Sequence, residues 1–407
     1  MQHRALKLTA VALWAILAVA GTIGIVQRVL YGHALAAYSS YIPWGMWVAA
    51  YIFFIGLSAG AFLLSSLVYV FGMHKLESIA KLSLFVATIT LGMALVTIFM
   101  DLGHADRFFF VFIRPQFHSM MAWMVWLYSA YFALLLAELF FALRRDLFHL
   151  SAQRVAKDDK ALKVLGTVGI PLAIAFHGGV GALFGTVLAR EDWHSPIYPI
   201  LFLTGALVSG GALMTAIVAF FWTERDAAWA DMVRFLGRLV LALVLLDLLL
   251  EWAEYSIPMW YGVGSEYDSL KNVLFGPYWY VFWIAHMLFG VAVPVLLLTL
   301  GRRRPVAIGI AGALVTVTFF AIRLNLVIPG LVTPEINGLQ TAYLDPIGNR
   351  LSFDYLPSLF EWQVLGGVVA AGIAAFYLGY RFLPLMPRVA KGEPVPSTPP
   401  VLQEVHS

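Results

Sequence analysis

The sequence predicts an all-α integral membrane protein of ten transmembrane helices, and three observations carry that reading. Of 407 residues, 61% are hydrophobic and 12% charged; mean hydropathy is +0.84; and the apolar residues fall into ten runs, each of about 20 residues or more. A run of that length crosses a hydrocarbon core of about 30 Å as a helix, and nothing else short of a closed barrel satisfies the backbone there. The runs are Leu8 to Leu30, Gly45 to Gly72, Ile79 to Met100, Met120 to Leu143, Val164 to Leu188, Ile197 to Trp222, Met232 to Tyr255, Tyr278 to Leu300, Val306 to Leu326 and Leu359 to Leu383. A formal charge of +3 on so apolar a chain argues against a nucleic-acid partner. The chain has no cysteine, so it offers no thiolate for an iron–sulfur cluster, a thioether haem or a disulfide.

Taken in order, the first run follows a basic segment and contains Ala18-Val19-Ala20, as a cleavable signal would. It continues to Leu30, beyond an ordinary signal core, so it is read as a retained first span. With the amino terminus inside, 18 of the 26 Lys and Arg residues lie on inner segments, seven lie on outer ones, and Arg238 falls within a span. That asymmetry places both termini in the cytoplasm. Spans two and six share the small-residue runs Ser58-Ala-Gly-Ala-Phe-Leu and Ser209-Gly-Gly-Ala-Leu-Met, which suit close helix crossing. They suggest two related four-helix bundles, at about 45–190 and 196–300, with one extra helix at each end, 8–30 and 359–383. Residues 1–390 then form one domain. An outer loop at 325–358 holds a hairpin around Pro346-Ile347-Gly348-Asn349 that helps seat a partner, and 391–407 form a mobile cytoplasmic tail.

An ionisable group inside a membrane costs several kcal/mol, so each one marks a candidate functional site. Asp101, His104, Asp106 and Arg107 fall at the outer end of span three, and Glu251 and Glu254 in the outer half of span seven. Asp247, Glu251 and Glu254 recur at i, i+4 and i+7, on one helical face, where three carboxylates cannot all stay ionised; such a row can pass protons. Glu138, Arg238 and His286 lie deeper. Glu138 and His286 either extend a proton route inward or serve as interhelical hydrogen-bond partners. His177 is followed by Gly178, Gly179 and Gly181, a bare backbone that a flat ligand can approach. Trp44 and Trp47 sit at the outer mouth of span two as candidate pocket walls, whereas Trp260 and Trp279 read as an interfacial belt. His177 and His286 differ in depth by about 5 Å, which argues against their sharing a haem.

Tyr51-Ile-Phe-Phe-Ile-Gly-Leu-Ser-Ala-Gly60 resembles the first core helix of the polysulfide reductase membrane-subunit family, the NrfD type. Asp101-Leu-Gly-His-Ala-Asp-Arg107 and Tyr198-Pro-Ile-Leu-Phe-Leu-Thr-Gly-Ala-Leu-Val-Ser-Gly-Gly211 are similar to later family segments. Phe176-His-Gly-Gly, Arg323-Leu-Asn and Tyr355-Leu-Pro-Ser-Leu-Phe-Glu361 resemble its ten-helix branch, which includes the membrane subunits of the periplasmic nickel–iron hydrogenase and of the sulfite-reductase-associated complex. The resemblance implies a subunit without haem or iron–sulfur cluster that binds menaquinone or ubiquinone. It implies a periplasmic iron–sulfur partner on the outer face and, beyond it, a catalytic subunit (molybdopterin, hydrogenase or similar) or a cytochrome. Carried onto this sequence, the quinone pocket falls on Trp44, Trp47, Asp101, His104 and His177. His177 is then the ring's hydrogen-bond partner and Asp101 with His104 the proton acceptor and exit. Arg107 steadies the carboxylates, and Glu251 and Glu254 form a second proton path.

Two other functions compete. A secondary transporter also suits ten spans with buried carboxylates, but its site belongs at the midplane between broken helices, whereas these polar groups gather at one side. A purely structural anchor for a redox complex predicts that His177→Ala and Asp101→Asn leave quinol-linked activity intact.

Overall fold

The computed structural model describes residues 2–148, 150–336, 338–339 and 351–386, and among them there are helices and connections but no strand. Eleven helices carry the architecture: α1 (Gln2–Tyr31), α2 (Met46–Tyr69), α3 (Glu77–Asp101), α4 (Met120–Leu147), α5 (Ala152–Gly185), α6 (Tyr198–Phe221), α7 (Ala227–Tyr261), α8 (Gly264–Leu274), α9 (Val281–Leu300), α10 (Pro305–Val332) and α11 (Leu359–Phe382). All but the short α8 are spans. Among the described residues, nine of the ten are long and apolar enough to cross a membrane by length and composition alone. The tenth, α7, is 35 residues long but carries Asp231, Arg234, Arg238, Asp247, Glu251 and Glu254.

The spans alternate in direction, so their connections gather at two ends. Tyr38, Asp101, Ser195, Glu254 and Glu361 share one end, called here the Asp101 face, and cross-links such as Ala37 N to Glu361 and Ser195 Oγ to Glu254 tie it together. Lys75, Lys81, Asp146, Asp158 and Met386 share the other, the Lys75 face, where Lys81 meets Asp146.

Helices α2 to α5 form one bundle and α6, α7, α9 and α10 a second, joined chiefly where α2 crosses α6. Small residues permit that crossing. A Cβ on Gly210 would lie 2.6 Å from both Gly60 Cα and Ala61 N, so the repeated glycines of the sequence are the point where the two backbones touch. Helices α1 and α11 pair outside the bundles by the same device: a Cβ on Gly367 would meet Gly21 Cα at 3.0 Å, and Trp14 Nε1 donates to Ala370 O at 2.9 Å. Helix α11 begins at a capping box, with Glu361 N donating to Ser358 Oγ and Ser358 N to Glu361 Oε2.

The ten apolar runs are the ten spans, but several helices outlast their apolar stretch. Helix α5 starts at Ala152 rather than Val164, stabilised by Asp158 accepting from Arg144 Nε of α4 at 2.7 Å. Helix α7 runs six residues past Tyr255 and α10 six past Leu326, which sets their charged residues deeper than the apolar pattern implies. The first twelve residues of α9, Val281–Ala292, wind as a π-helix, a wide form concentrated at functional positions. The expected hairpin at 346–349 and the tail at 391–407 lie outside the described residues.

Candidate functional site

Two polar regions occupy the Asp101 face. In the first, Asp101 ends α3 and its Oδ1 accepts from the Tyr38 hydroxyl at 2.5 Å. Tyr38 belongs to the 32–45 connection, which folds over α2 because α1 is held to α3: Arg28 donates to Met100 O and Leu102 O, both at 2.6 Å. The rings of His33, Tyr38 and Trp47 meet at 5.3 to 6.0 Å. Trp47 Nε1 donates to Glu361 O at 3.0 Å, Tyr355 OH donates to Glu361 Oε1, and the Ala37 and Ser358 amides donate to Glu361 Oε2. Burial keeps the Tyr38 hydroxyl well above its ordinary pKa, reinforced by Asp101, and holds the His33 imidazole below its own, reinforced by Arg28. His33 Nε2 is buried without a hydrogen-bond partner.

The pocket expected on Trp44, Trp47, Asp101, His104 and His177 is not one space. His177 is fully buried and its Nε2 lies 2.7 Å from Phe202 O. A carbonyl oxygen only accepts, so Nε2 carries the hydrogen and Nδ1 is an acceptor without a partner. A Cβ on Gly56 of α2 would stand 3.7 Å from this ring. Gly56 is nine residues beyond Trp47, about two and a half turns, so His177 and the Trp47–Tyr38–Asp101 group face opposite sides of α2. The glycines after His177 admit protein: a Cβ on Gly179 would lie 2.9 Å from Met124 Sδ, and one on Gly181 would lie 2.6 Å from Tyr198 O. Trp44 stacks on Trp193 at 5.9 Å on the α5 side. His104 and Arg107 stand outside both groups, with side chains 75% and 63% exposed, and both lie beside Asp106. The guanidinium whose charge acts on Asp101 is that of Arg28, not Arg107.

The second region lies in the second bundle. Asp247 and Glu251 share a face of α7, as their spacing predicted. Asp247 Oδ1 accepts from Thr204 Oγ1 at 3.0 Å, and Glu251 Oε2 lies 3.4 Å from Nε2 of His286, in the π-helical stretch of α9. Because α7 runs on to Tyr261, Glu251 lies ten residues, about 15 Å, below the helix end rather than near it, and there it meets His286. Arg323 of α10, 3% exposed, packs its guanidinium on Phe202 and Phe319 at 4.6 and 5.1 Å and faces both carboxylates, leaving Nε and Nη2 without partners. Asp247, Glu251 and Arg323 line a cavity of about 70 Å³ that reaches Glu254, Asp192, Glu266 and Ser269 toward the loops. A second cavity of about 20 Å³ adjoins it at Asp247, Glu251 and His286. At about 15 Å³ for each water, the larger holds on the order of five waters and is too small for a quinone ring. Glu138 stands apart in the first bundle, buried, with Oε1 unpartnered beside Gly166.

Sequence reasoning missed Tyr38, His33, Arg28 and Asp192, all of which act through contacts distant in the chain or from a loop without periodicity. Arg323 and Glu361 entered the sequence reading within the motifs Arg323-Leu-Asn and Tyr355-Leu-Pro-Ser-Leu-Phe-Glu361, with no role attached to either.

The chain matches the family described as "Polysulphide reductase, NrfD" over residues 35–335, from just before α2 to just after α10. It is 35% identical to a subunit of the selenate reductase of Mesobacillus selenatarsenatis, over 91% of this protein and 92% of that one. It is 28% identical to the Hdr-like menaquinol oxidoreductase integral membrane subunit of Archaeoglobus fulgidus, over 94% and 95%. It is 27% identical to one of the polypeptides of the polysulfide reductase of Wolinella succinogenes, over 63% and 83%. With most of its length matched and the ten-helix architecture in place, the chain belongs to the NrfD polysulphide reductase family of integral membrane proteins.

Proposed function

We propose that this chain is the quinone-reactive membrane subunit of a multi-subunit redox complex in a bacterial inner membrane. It exchanges electrons between menaquinone or ubiquinone and an iron–sulfur partner docked on the Asp101 face. The names of its relatives, subunits of menaquinol, selenate and polysulfide enzymes, support that setting, and the excess of Lys and Arg on the other side supports a periplasmic Asp101 face. Lacking cysteine, the chain leaves iron–sulfur clusters to the partner.

The observation that carries this reading is the Tyr38–Asp101 pair, part-exposed between the ends of α1 and α3 with the rings of His33 and Trp47 beside it. Quinol oxidation needs an acceptor for each hydroxyl proton, in a slot that lipid reaches. Tyr38 holds Asp101 Oδ1, and among the described residues Oδ2 accepts no hydrogen bond, so it is free to take a proton. His33 Nε2, buried without a hydrogen-bond partner, is a second polar atom beside the pair, and the fully buried Trp47 ring packs behind Tyr38 and His33. The carboxylates of the second bundle, Asp247, Glu251 and Glu254, act with His286 as a proton path through a hydrated chamber, not as a second ring site. In the purified complex, Asp101→Asn should lower quinol-driven turnover about 100-fold or more, the usual range for a lost general base. Activity of the partner with a soluble artificial donor should persist. Unchanged quinol turnover in an intact complex would leave the chain a structural anchor.

A further inference from the structure

The connection between α5 and α6 is pinned unusually firmly for a loop. Arg190 Nη1 donates to Gly330 O at 2.9 Å and to Thr333 O at 3.3 Å, while its Nε pairs with Glu335 at 2.8 Å. Trp193 Nε1 donates to Leu326 O at 2.8 Å, and the Tyr198 hydroxyl to Asp192 O at 2.5 Å. What these bonds hold in place is the side chain of Asp192. It lines the loop end of the larger cavity together with Glu266 and Ser269 of α8, Glu254 and Tyr255 of α7, Tyr198 of α6 and Arg323 of α10. Its carboxylate accepts a hydrogen bond from Ser269 Oγ at 3.2 Å.

The cavity itself calls for water. Arg323 Nε and Nη2 and Asn325 Nδ2 are buried donors without protein partners, both residues line the space, and buried donors of this kind are satisfied by ordered water. We propose that Asp192 is the port through which this chamber exchanges protons with the aqueous phase on the Asp101 face. A chamber water takes a proton from a protonated Glu251 or Glu254 carboxyl as it hands one of its own to the Asp192 carboxylate, so that the water is left neutral and the upstream group ionised, and the Asp192 carboxyl passes the proton outward; uptake runs in reverse. The carboxyl suits that duty, because burial, opposed in part by the Ser269 hydrogen bond and Arg190, pushes it up to about 7, and Glu266 beside it is raised as well.

The inference rests on the proton-handling part of the proposed function, and its test separates the two. Asp192→Asn and Asp192→Glu are made in the intact complex, reconstituted in liposomes, and quinol-driven turnover and proton release are followed against pH with and without acetate as a small proton carrier. Asp192→Asn should slow both about ten-fold above pH 7 with the quinol KM unchanged, and Asp192→Glu or acetate should restore most of the loss. Wild-type rates in Asp192→Asn at every pH would overturn the proposal. So would a loss that neither Asp192→Glu nor acetate relieves, which marks a structural role. A wild-type complex inert toward quinol would overturn the underlying reading first.

Discussion

The two polar regions of the Asp101 face bury carboxylates at one end of the same molecule yet treat them in opposite ways. Around Glu361 the protein supplies its own donors: the Tyr355 hydroxyl and the amides of Ala37 and Ser358 enclose both oxygens, and Tyr355 in turn accepts from Met46 N at 2.7 Å. Around Glu251 and Asp247 the partners are sparse, one hydroxyl and one imidazole, and the remaining space is the size of a few waters. A carboxylate enclosed by fixed donors is a positioned charge that holds α1, α2 and α11 together. One that faces water in a low-dielectric site can change its protonation state without moving its neighbours.

Neutralising each region tests the difference. Glu361→Gln sets an NH₂ group or a weakened acceptor against three donors, and at about 1.5 kcal/mol for each charge-assisted bond the complex should lose about 4 kcal/mol of stability, read as a lower thermal midpoint. Glu251→Gln should leave that midpoint nearly unchanged, because water can rearrange around the amide, while proton release slows. Equal destabilisation by the two variants would erase the distinction.

Much of this division was beyond the reach of the sequence, for a geometric reason. Hydropathy and positive charge report depth and sidedness, so the ten spans, the gathering of polar residues at one end and the shared face of Asp247 and Glu251 were all legible. The small-residue runs in spans two and six likewise turned out to be the α2–α6 crossing. Depth says nothing about azimuth. Asp101 and His177 lie in the same half of the membrane but on opposite sides of α2, and the distinction depends on how Trp47 and Gly56 face their neighbours. Likewise Arg107, six residues from Asp101 in sequence, points away from it, while Arg28, more than seventy residues distant, is tied to the backbone on both sides of that residue. Asp192 had no pattern to betray it, since a loop carries neither helical nor strand period.

Asp192 also sharpens the comparison through pH. Its carboxyl is raised from the ordinary range to about 7, so the folded state binds a proton that the unfolded state has already lost. Its contribution is therefore full below about pH 4, declines as pH rises to about 7, and is flat beyond. At about 1.4 kcal/mol for each pH unit the window is worth at most about 4 kcal/mol, and partial exposure to solvent brings that to about 2. Thermal midpoints of the wild-type complex and Asp192→Asn should differ little at pH 4 and diverge in favour of the variant up to pH 7. A constant difference would mean that this carboxyl ionises normally and that the chamber ends elsewhere.

The smallest expected effect falls on the residues that sequence reasoning set beside Asp101. His104 and Arg107 are largely exposed, and the side chain of each lies beside Asp106, at 3.9 and 3.7 Å. Exposed ion pairs of this kind contribute about 0 to 1 kcal/mol, and substitutions there usually stay within about 0.5 kcal/mol. His104→Ala and Arg107→Ala should therefore leave quinol-driven turnover within about two-fold of wild type, measured at saturating partner subunit. If they also form part of the partner's docking surface, the change appears in the rate of association and its salt dependence, because rim charges act on encounter more than on residence. A hundred-fold loss of turnover in His104→Ala with the partner bound would extend the quinol site past the end of α3, and the boundary drawn at Tyr38 and Asp101 would then be wrong.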